Sequence, residues 1–116
     1  MGKEGLLGSF EELVLLAVAR AGRDAYGMTV RREIEARTGR DVTIGAVYAT
    51  LDRLESKGLL SSHLTGGDVG RGGRARRIFR VEGPGVEALQ GARETRAGLW
   101  EGIDLASIGG RGKGSR

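Results

Sequence analysis

A mainly helical domain with one small two-stranded β-ribbon is the fold class this sequence predicts, and three observations predict it. Three segments with apolar residues at helical spacing come first in the chain. A glycine- and arginine-rich stretch flanked by two short β-prone runs follows, between Leu60 and Val81. A last apolar-faced segment then opens at Gly83-Pro84. With 116 residues, 39% of them hydrophobic, the chain suits one domain with a modest core.

Residues 1–8 are expected to form a flexible leader. Ser9-Phe10-Glu11-Glu12 fits a capping box, with Ser9 accepting from the third amide and Glu12 reaching back. The first helix then covers about residues 10–20. Leu13 through Ala19 is apolar on nearly every side, so this helix needs cover from its own core and from a second surface. Gly22 should end it as a left-handed cap. A second helix over about residues 26–37 places Tyr26, Val30 and Ile34 on one stripe, and Thr38-Gly39 closes it.

Thr43 is the predicted N-cap of a third helix running to Lys57. Its buried stripe is Ile44, Val47, Leu51 and Leu54. At ~100° per residue the opposite face holds Gly45, Ala46, Ala49 and Arg53, with Asp52 at its edge. Gly58 caps this helix, with Leu59 packing back on the last turn. Residues 60–65 and 77–81 read as paired strands. Their connection, residues 66–75, holds five glycines and is too long for a two-residue hairpin. Pro84 should occupy the first position of a fourth helix, whose apolar face is Val86, Leu89, Ala92, Leu99, Trp100 and Ile103, interrupted by Arg96. Residues 109–116 are expected to form a disordered basic tail. Helices two and three, joined by a short glycine-containing turn, make a helix-turn-helix, and the ribbon is its wing.

Charge sharpens this picture. Residues 69–81 carry +5 and residues 109–116 carry +3 of a net +4, so the rest of the chain is acidic by −4. Positive charge confined to one loop and one tail can steer a polyanion without making the whole body adhesive. Sixteen of the nineteen basic residues are arginine, whose planar fork suits phosphates and guanine edges. A GC-rich genome accounts for part of that excess but not for its clustering.

Several function classes drop out. The longest apolar run is seven residues, too short for a bilayer. Neither a signal pattern nor a lipidation motif is visible, so a cytoplasmic location is expected with no membrane partner. With no cysteine there is no disulfide framework or thiolate metal site, and His63, the only histidine, reads as a strand surface residue. Nucleophile-elbow, zinc-helix and phosphate-loop motifs are all missing, which argues against an enzyme and leaves no catalytic residue, metal or cofactor to assign.

Five stretches carry a resemblance. They are Leu13 to Ala19, Ala25-Tyr26-Gly27, residues 45–51 with Arg53-Leu54-Glu55, Gly58-Leu59-Leu60, and the wing residues 72–81. In order, over roughly residues 9–103, they resemble the N-terminal domain of the PadR family of bacterial transcriptional regulators. The resemblance implies a winged helix-turn-helix dimer that represses a promoter by binding a pseudo-palindromic operator in double-stranded DNA. It makes the helix carrying Tyr48 the recognition helix and the Gly-Arg wing a contact to DNA backbone or minor groove. Glu82 stands where the family usually has threonine, so the last helix must be capped differently. The chain also ends soon after the fourth helix, which makes it similar to the short subfamily that dimerises through its first and last helices.

Residues 9–82 are thus the expected DNA-binding domain and residues 83–108 the dimerisation helix. The candidate DNA contacts are Thr43, Gly45, Ala46, Tyr48, Ala49, Thr50, Arg53, Arg71, Arg74, Arg76 and Arg77. Tyr48 either reaches a phosphate or packs against its own domain. Leu13, Leu16, Leu99, Trp100 and Ile103 are the candidate dimer interface. In short members of the family, aromatic residues on the last helix stack on planar drugs, so Trp100 is either an interface anchor or an effector site. The alternative functions are a sensor of planar drugs or phenolic compounds, with its ligand at the dimer interface, and a winged-helix module that binds protein or RNA. The arginine-rich wing argues against the module.

Overall fold

The fold was analysed in a computed structural model that describes residues 7–66 and 75–109. Most of the expected leader and basic tail, and wing residues Arg71 and Arg74, lie outside the described residues. The elements are α1 (Ser9–Ala21), a 3₁₀ turn (Gly22–Asp24), α2 (Gly27–Thr38), α3 (Ile44–Ser56), β1 (Leu60–Gly66), β2 (Ala75–Val81), α4 (Gly83–Trp100) and α5 (Leu105–Gly109).

The predicted stripes meet in one core. Val14, Leu15, Ala17 and Val18 of α1, Val30 and Ile34 of α2, and Val47, Leu51 and Leu54 of α3 are buried together with Ala25, Leu60 and Phe79. Leu7, the last residue but one of the expected leader, packs on this core as well. The strands pair antiparallel from Leu60 opposite Val81 to Gly66 opposite Ala75, longer than the sequence pattern indicates. Phe79 is wholly buried, and its N–H donates to the carbonyl of Ala25 (2.8 Å), which anchors β2 to the start of the helix-turn-helix.

Local chemistry explains the boundaries, with some corrections. The cap is shifted by one residue and is only half of a capping box, because Gly8 has no side chain to accept. Gly8 is the N-cap, and its N–H donates to Glu11 Oε1 (2.9 Å), not to Glu12. Gly22 has φ +59° but ψ −123°, so it leads into the 3₁₀ turn instead of forming a left-handed helical cap. Thr43 caps α3 as predicted, its hydroxyl accepting from Ala46 N–H (3.0 Å). At the other end Leu59 N–H reaches Leu54 C=O (3.0 Å) and Gly58 N–H reaches Glu55 C=O (2.9 Å). That paired closure is a Schellman motif, and Gly58 at φ +79° supplies the left-handed residue it requires. Glu82 gives α4 no side-chain cap; its carboxylate accepts from Ser61 Oγ instead, and Pro84 sits in the first turn.

The last segment is not one helix to residue 108. α4 stops at Trp100, Gly102 turns the chain at φ +78°, and Asp104 Oδ1 accepts from Ala106 N–H (3.2 Å) at the start of α5. Near its beginning α4 lies close on the ribbon because Gly85 has no side chain. A Cβ there would stand 2.3 Å from the backbone oxygen of Leu59. Further along, Arg96 pairs with Glu12 of α1 (2.8 Å).

Two predictions follow from this packing. Gly85→Ala should cost roughly 1–3 kcal/mol by overpacking against backbone that cannot swing aside, read as a lower denaturant midpoint. The second concerns Glu11, 8% exposed. Burial alone would raise its pKa, but the Gly8 amide, Lys57 and Arg53 outweigh it and hold the carboxyl below its ordinary value of 4.5. A depressed folded pKa means that the unfolded chain binds the proton first. The Glu11 contribution is therefore whole at neutral pH and is lost as pH falls below the ordinary carboxylate range. Stability against pH should show this acid loss in the parent and a shallower one in Glu11→Gln.

Candidate nucleic-acid interface

The turn of the helix-turn-helix is set by a carboxylate. Glu35 on α2 accepts from the N–H of Val42 (3.3 Å) and from Arg31 (3.3 Å), while Gly39 at φ +73° reverses the chain after α2. This delivers Thr43 and α3 to the surface. On α3 the residues Gly45, Ala46 and Ala49 are exposed, a small and nearly acid-free strip, while Val47, Leu51 and Leu54 face inward. Side chains of this size let a helix approach the floor of a major groove closely.

On α3 one expected contact is buried, and another is exposed but paired within the domain. Thr50 is 2% exposed and so does not stand on the outer face; its hydroxyl accepts from Arg53 (3.3 Å). Arg53 turns back to Glu11 (Nε to Oε2, 3.2 Å), which also holds Lys57 (2.9 Å). Tyr48 does pack, and it is also 37% exposed. Its ring lies over Gly27 at the start of α2, where a Cβ would come within 2.3 Å of it. The Tyr26-Gly27 pair thus has a steric reason that no reading of periodicity supplies. A side chain at residue 27 would push Tyr48 off the face it shares with α2.

The ribbon joins this surface from the other side. Arg77, expected as a phosphate contact, is engaged within the domain. Its guanidinium binds Asp52 (2.9 Å) and Glu55 (2.6 Å) of α3, donates to Ser62 (3.1 Å), and lies over the Phe79 ring (4.7 Å). Burial would favour its neutral form, but Glu55 and Asp52 outweigh burial and raise its pKa. The acid at the edge of the reading face is therefore partly neutralised by the wing itself. Arg80 has Glu82 nearby (3.5 Å). Arg76 is exposed and rests over the Tyr26 ring (4.3 Å). Arg76 over Tyr26 and the Tyr48 ring against buried Gly27 thus both lie at the start of α2. Sequence reasoning missed Glu11, Asp52, Glu55 and Tyr26 as organisers because their partners lie 20 or more residues away along the chain.

The expected interface residues lie on α1, at the end of α4 and, for Ile103, in the turn beyond α4. Leu16 is 42% exposed, Leu99 74%, Trp100 57% and Ile103 45%, whereas Leu13 is half-buried. No helix among the described residues is long and apolar enough to cross a membrane.

Residues 15–91 match the profile of the transcriptional regulator PadR-like family. The chain is similar to a PadR family transcriptional regulator from Eggerthella lenta DSM 2243, at 27% identity and TM-score 0.61, over 78% of this chain and 76% of that one. It is similar in fold to a PadR family transcription regulator from Clostridium difficile R20291, at 19% identity and TM-score 0.62, over 90% and 97% of the two chains. A further likeness of fold is to the ORC1 protein of Aeropyrum pernix in complex with DNA, at 22% identity and TM-score 0.59, over 88% of this chain and 26% of that one. No curated protein matches the chain.

Arg77 generates the prediction here. Arg77→Ala should lower stability by roughly 1–2 kcal/mol, near the low end because the site is partly open to solvent. If Arg77 acts only within the domain, DNA binding should weaken while the slope of affinity against salt stays unchanged; a lost phosphate contact would instead lower that slope by about 0.9. Arg77→Lys should restore little, because one ammonium cannot fork to two carboxylates and stack on Phe79.

Proposed function

We propose that this chain, which belongs to the transcriptional regulator PadR-like family, acts as a two-fold dimer that represses a bacterial promoter. The coarse function, DNA-binding transcriptional regulation, comes with the family, which is not one of enzymes. The observation that carries the finer reading is the pairing of two surfaces on one domain. One is the small exposed strip of α3 beside Arg76 and Tyr48. The other is the apolar surface of Leu16, Leu99, Trp100 and Ile103.

Each surface has a separate task. Thr43, Gly45, Ala46, Tyr48 and Ala49 read or border the major groove of double-stranded DNA, and the wing arginines Arg71, Arg74 and Arg76 hold its backbone. Arg53 and Arg77 act by positioning α3. Leu16 and the apolar residues of α4 meet their symmetry mates and set the separation of the two reading helices. Trp100 is an anchor of that contact. Its exposure in one copy also suits a second reading, in which a planar drug or phenolic effector inserts between two copies and moves the reading helices apart.

Footprinting on the DNA upstream of its own gene should reveal two protected half-sites about 34–36 Å apart. Trp100→Ala should shift sedimentation toward monomer and reduce operator affinity. Arg74→Ala and Arg76→Ala should weaken binding to operator and random duplex alike, lowering the salt slope by about 0.9 per lost phosphate contact. A folded monomer that gives the same footprint, or wing variants that change sequence preference with an intact salt slope, would contradict the assignment.

A further inference from the structure

Behind the wing lies a groove that shares Arg76 and Tyr26 with the proposed DNA-binding surface and otherwise lies apart from it. It is an open groove between the end of α1 with its 3₁₀ turn and the face of the ribbon that carries His63, Arg76, Ile78 and Arg80, with a volume of about 1010 Å³. That is at the upper end of the size of small-molecule sites, roughly 300–1,000 Å³.

Its walls are of two kinds. Ala19, Ile78 and Val81 supply an apolar side that is only partly covered. Arg23, Arg76 and Arg80 supply positive charge, against Asp24 as the one carboxylate of the lining. The Arg76 guanidinium rests over the Tyr26 ring at 4.3 Å, a cation–π contact that favours this placement of its fork. Glu82, 3.5 Å from Arg80, offsets part of that cation's charge. A phosphodiester backbone would satisfy the cations but has no apolar body to cover Ile78 and Val81. A neutral apolar compound would cover those and leave the guanidinium charge uncompensated. One chemistry answers both walls.

We propose that this groove binds an amphipathic monoanion, a compact apolar body with one carboxylate or sulfonate group, in competition with duplex DNA for Arg76. The competition rests on the regulator reading above; the binding itself does not. Because linkage is reciprocal, an anion seated on Arg76 weakens the hold on DNA by the same factor as DNA weakens the anion.

Fluorescence titration of the full chain with anilinonaphthalene sulfonate, and with its neutral relative phenylnaphthylamine, tests the site. The sulfonate should bind about tenfold more tightly than the amine, the worth of a charged hydrogen bond. Arg76→Glu and Arg80→Glu, both at exposed positions that the core does not need, should each lower sulfonate affinity and leave the amine unchanged. Methanesulfonate, which has the charge without the body, should fail to displace the probe at equal concentration. Equal binding of the two dyes, sulfonate binding that survives both charge reversals together, or displacement by methanesulfonate would overturn the groove. Saturating duplex DNA should weaken the sulfonate, and an unchanged affinity would overturn the competition. A chain that fails to bind DNA at all would defeat the regulator reading, while the titrations without DNA still decide the groove.

Discussion

A single helix can read DNA only if its angle to the rest of the domain is held, and in this protein Arg77 does much of the holding. One guanidinium spans two carboxylates one turn apart on α3 and stacks on Phe79, whose ring is sealed in the core. The ribbon, the helix and the core therefore share one fastening. On the opposite flank Glu11 plays the matching part, tying α1 to Arg53 and Lys57. Glu11 is well covered, but most of its partners and those of Arg77 are open to solvent, so each pair contributes modestly and the clusters act chiefly by fixing geometry. α3 is thus clamped between the helix that carries the exposed Leu16 and the ribbon that carries Arg76.

This arrangement changes what the basic wing means. In the primary sequence five arginines stand together without an acid between Asp68 and Glu82. Folding brings Asp52 and Glu55 to Arg77, and Glu82 to Arg80. Some of the positive charge is consumed in building the site, and Arg76, carried over Tyr26, is left facing outward. The same folding engages Asp52, the acid that borders the reading strip. Charge is redistributed so that the strip and the ribbon can present one sign to a polyanion.

Two glycines act through closeness and not through turn geometry. Gly27 admits the Tyr48 ring onto α2, and Gly85 admits α4 onto the carbonyl of Leu59. The first contact displaces a mobile ring if it is blocked, so its consequence falls on the binding surface. The second meets backbone, so its consequence falls on stability. Both glycines sit near the start of a helix, where a larger residue would be acceptable on local grounds alone.

Local pattern in the chain was enough to establish the order of elements, the three buried stripes, the Thr43 cap and the glycine closure after α3. Each of these depends on residues within one or two turns of each other, so spacing alone reveals them. The same pattern placed Gly45, Ala46 and Ala49 on the outer face of α3. What it could not decide was the fate of charged and polar side chains with distant partners. Arg53 and Arg77 found carboxylate partners within the domain because Glu11 and the Asp52–Glu55 pair became neighbours only when α1 and the ribbon packed against α3. Thr50 was lost from the surface because burial on a crowded helix takes in the flank of the stripe as well as its centre. The break at Gly102 escaped because a hydrophobic period continued across it. Residue periodicity measures which side of an element is apolar; only the packed structure decides which charges find each other, because electrostatic pairing depends on distance in space and is blind to distance along the chain.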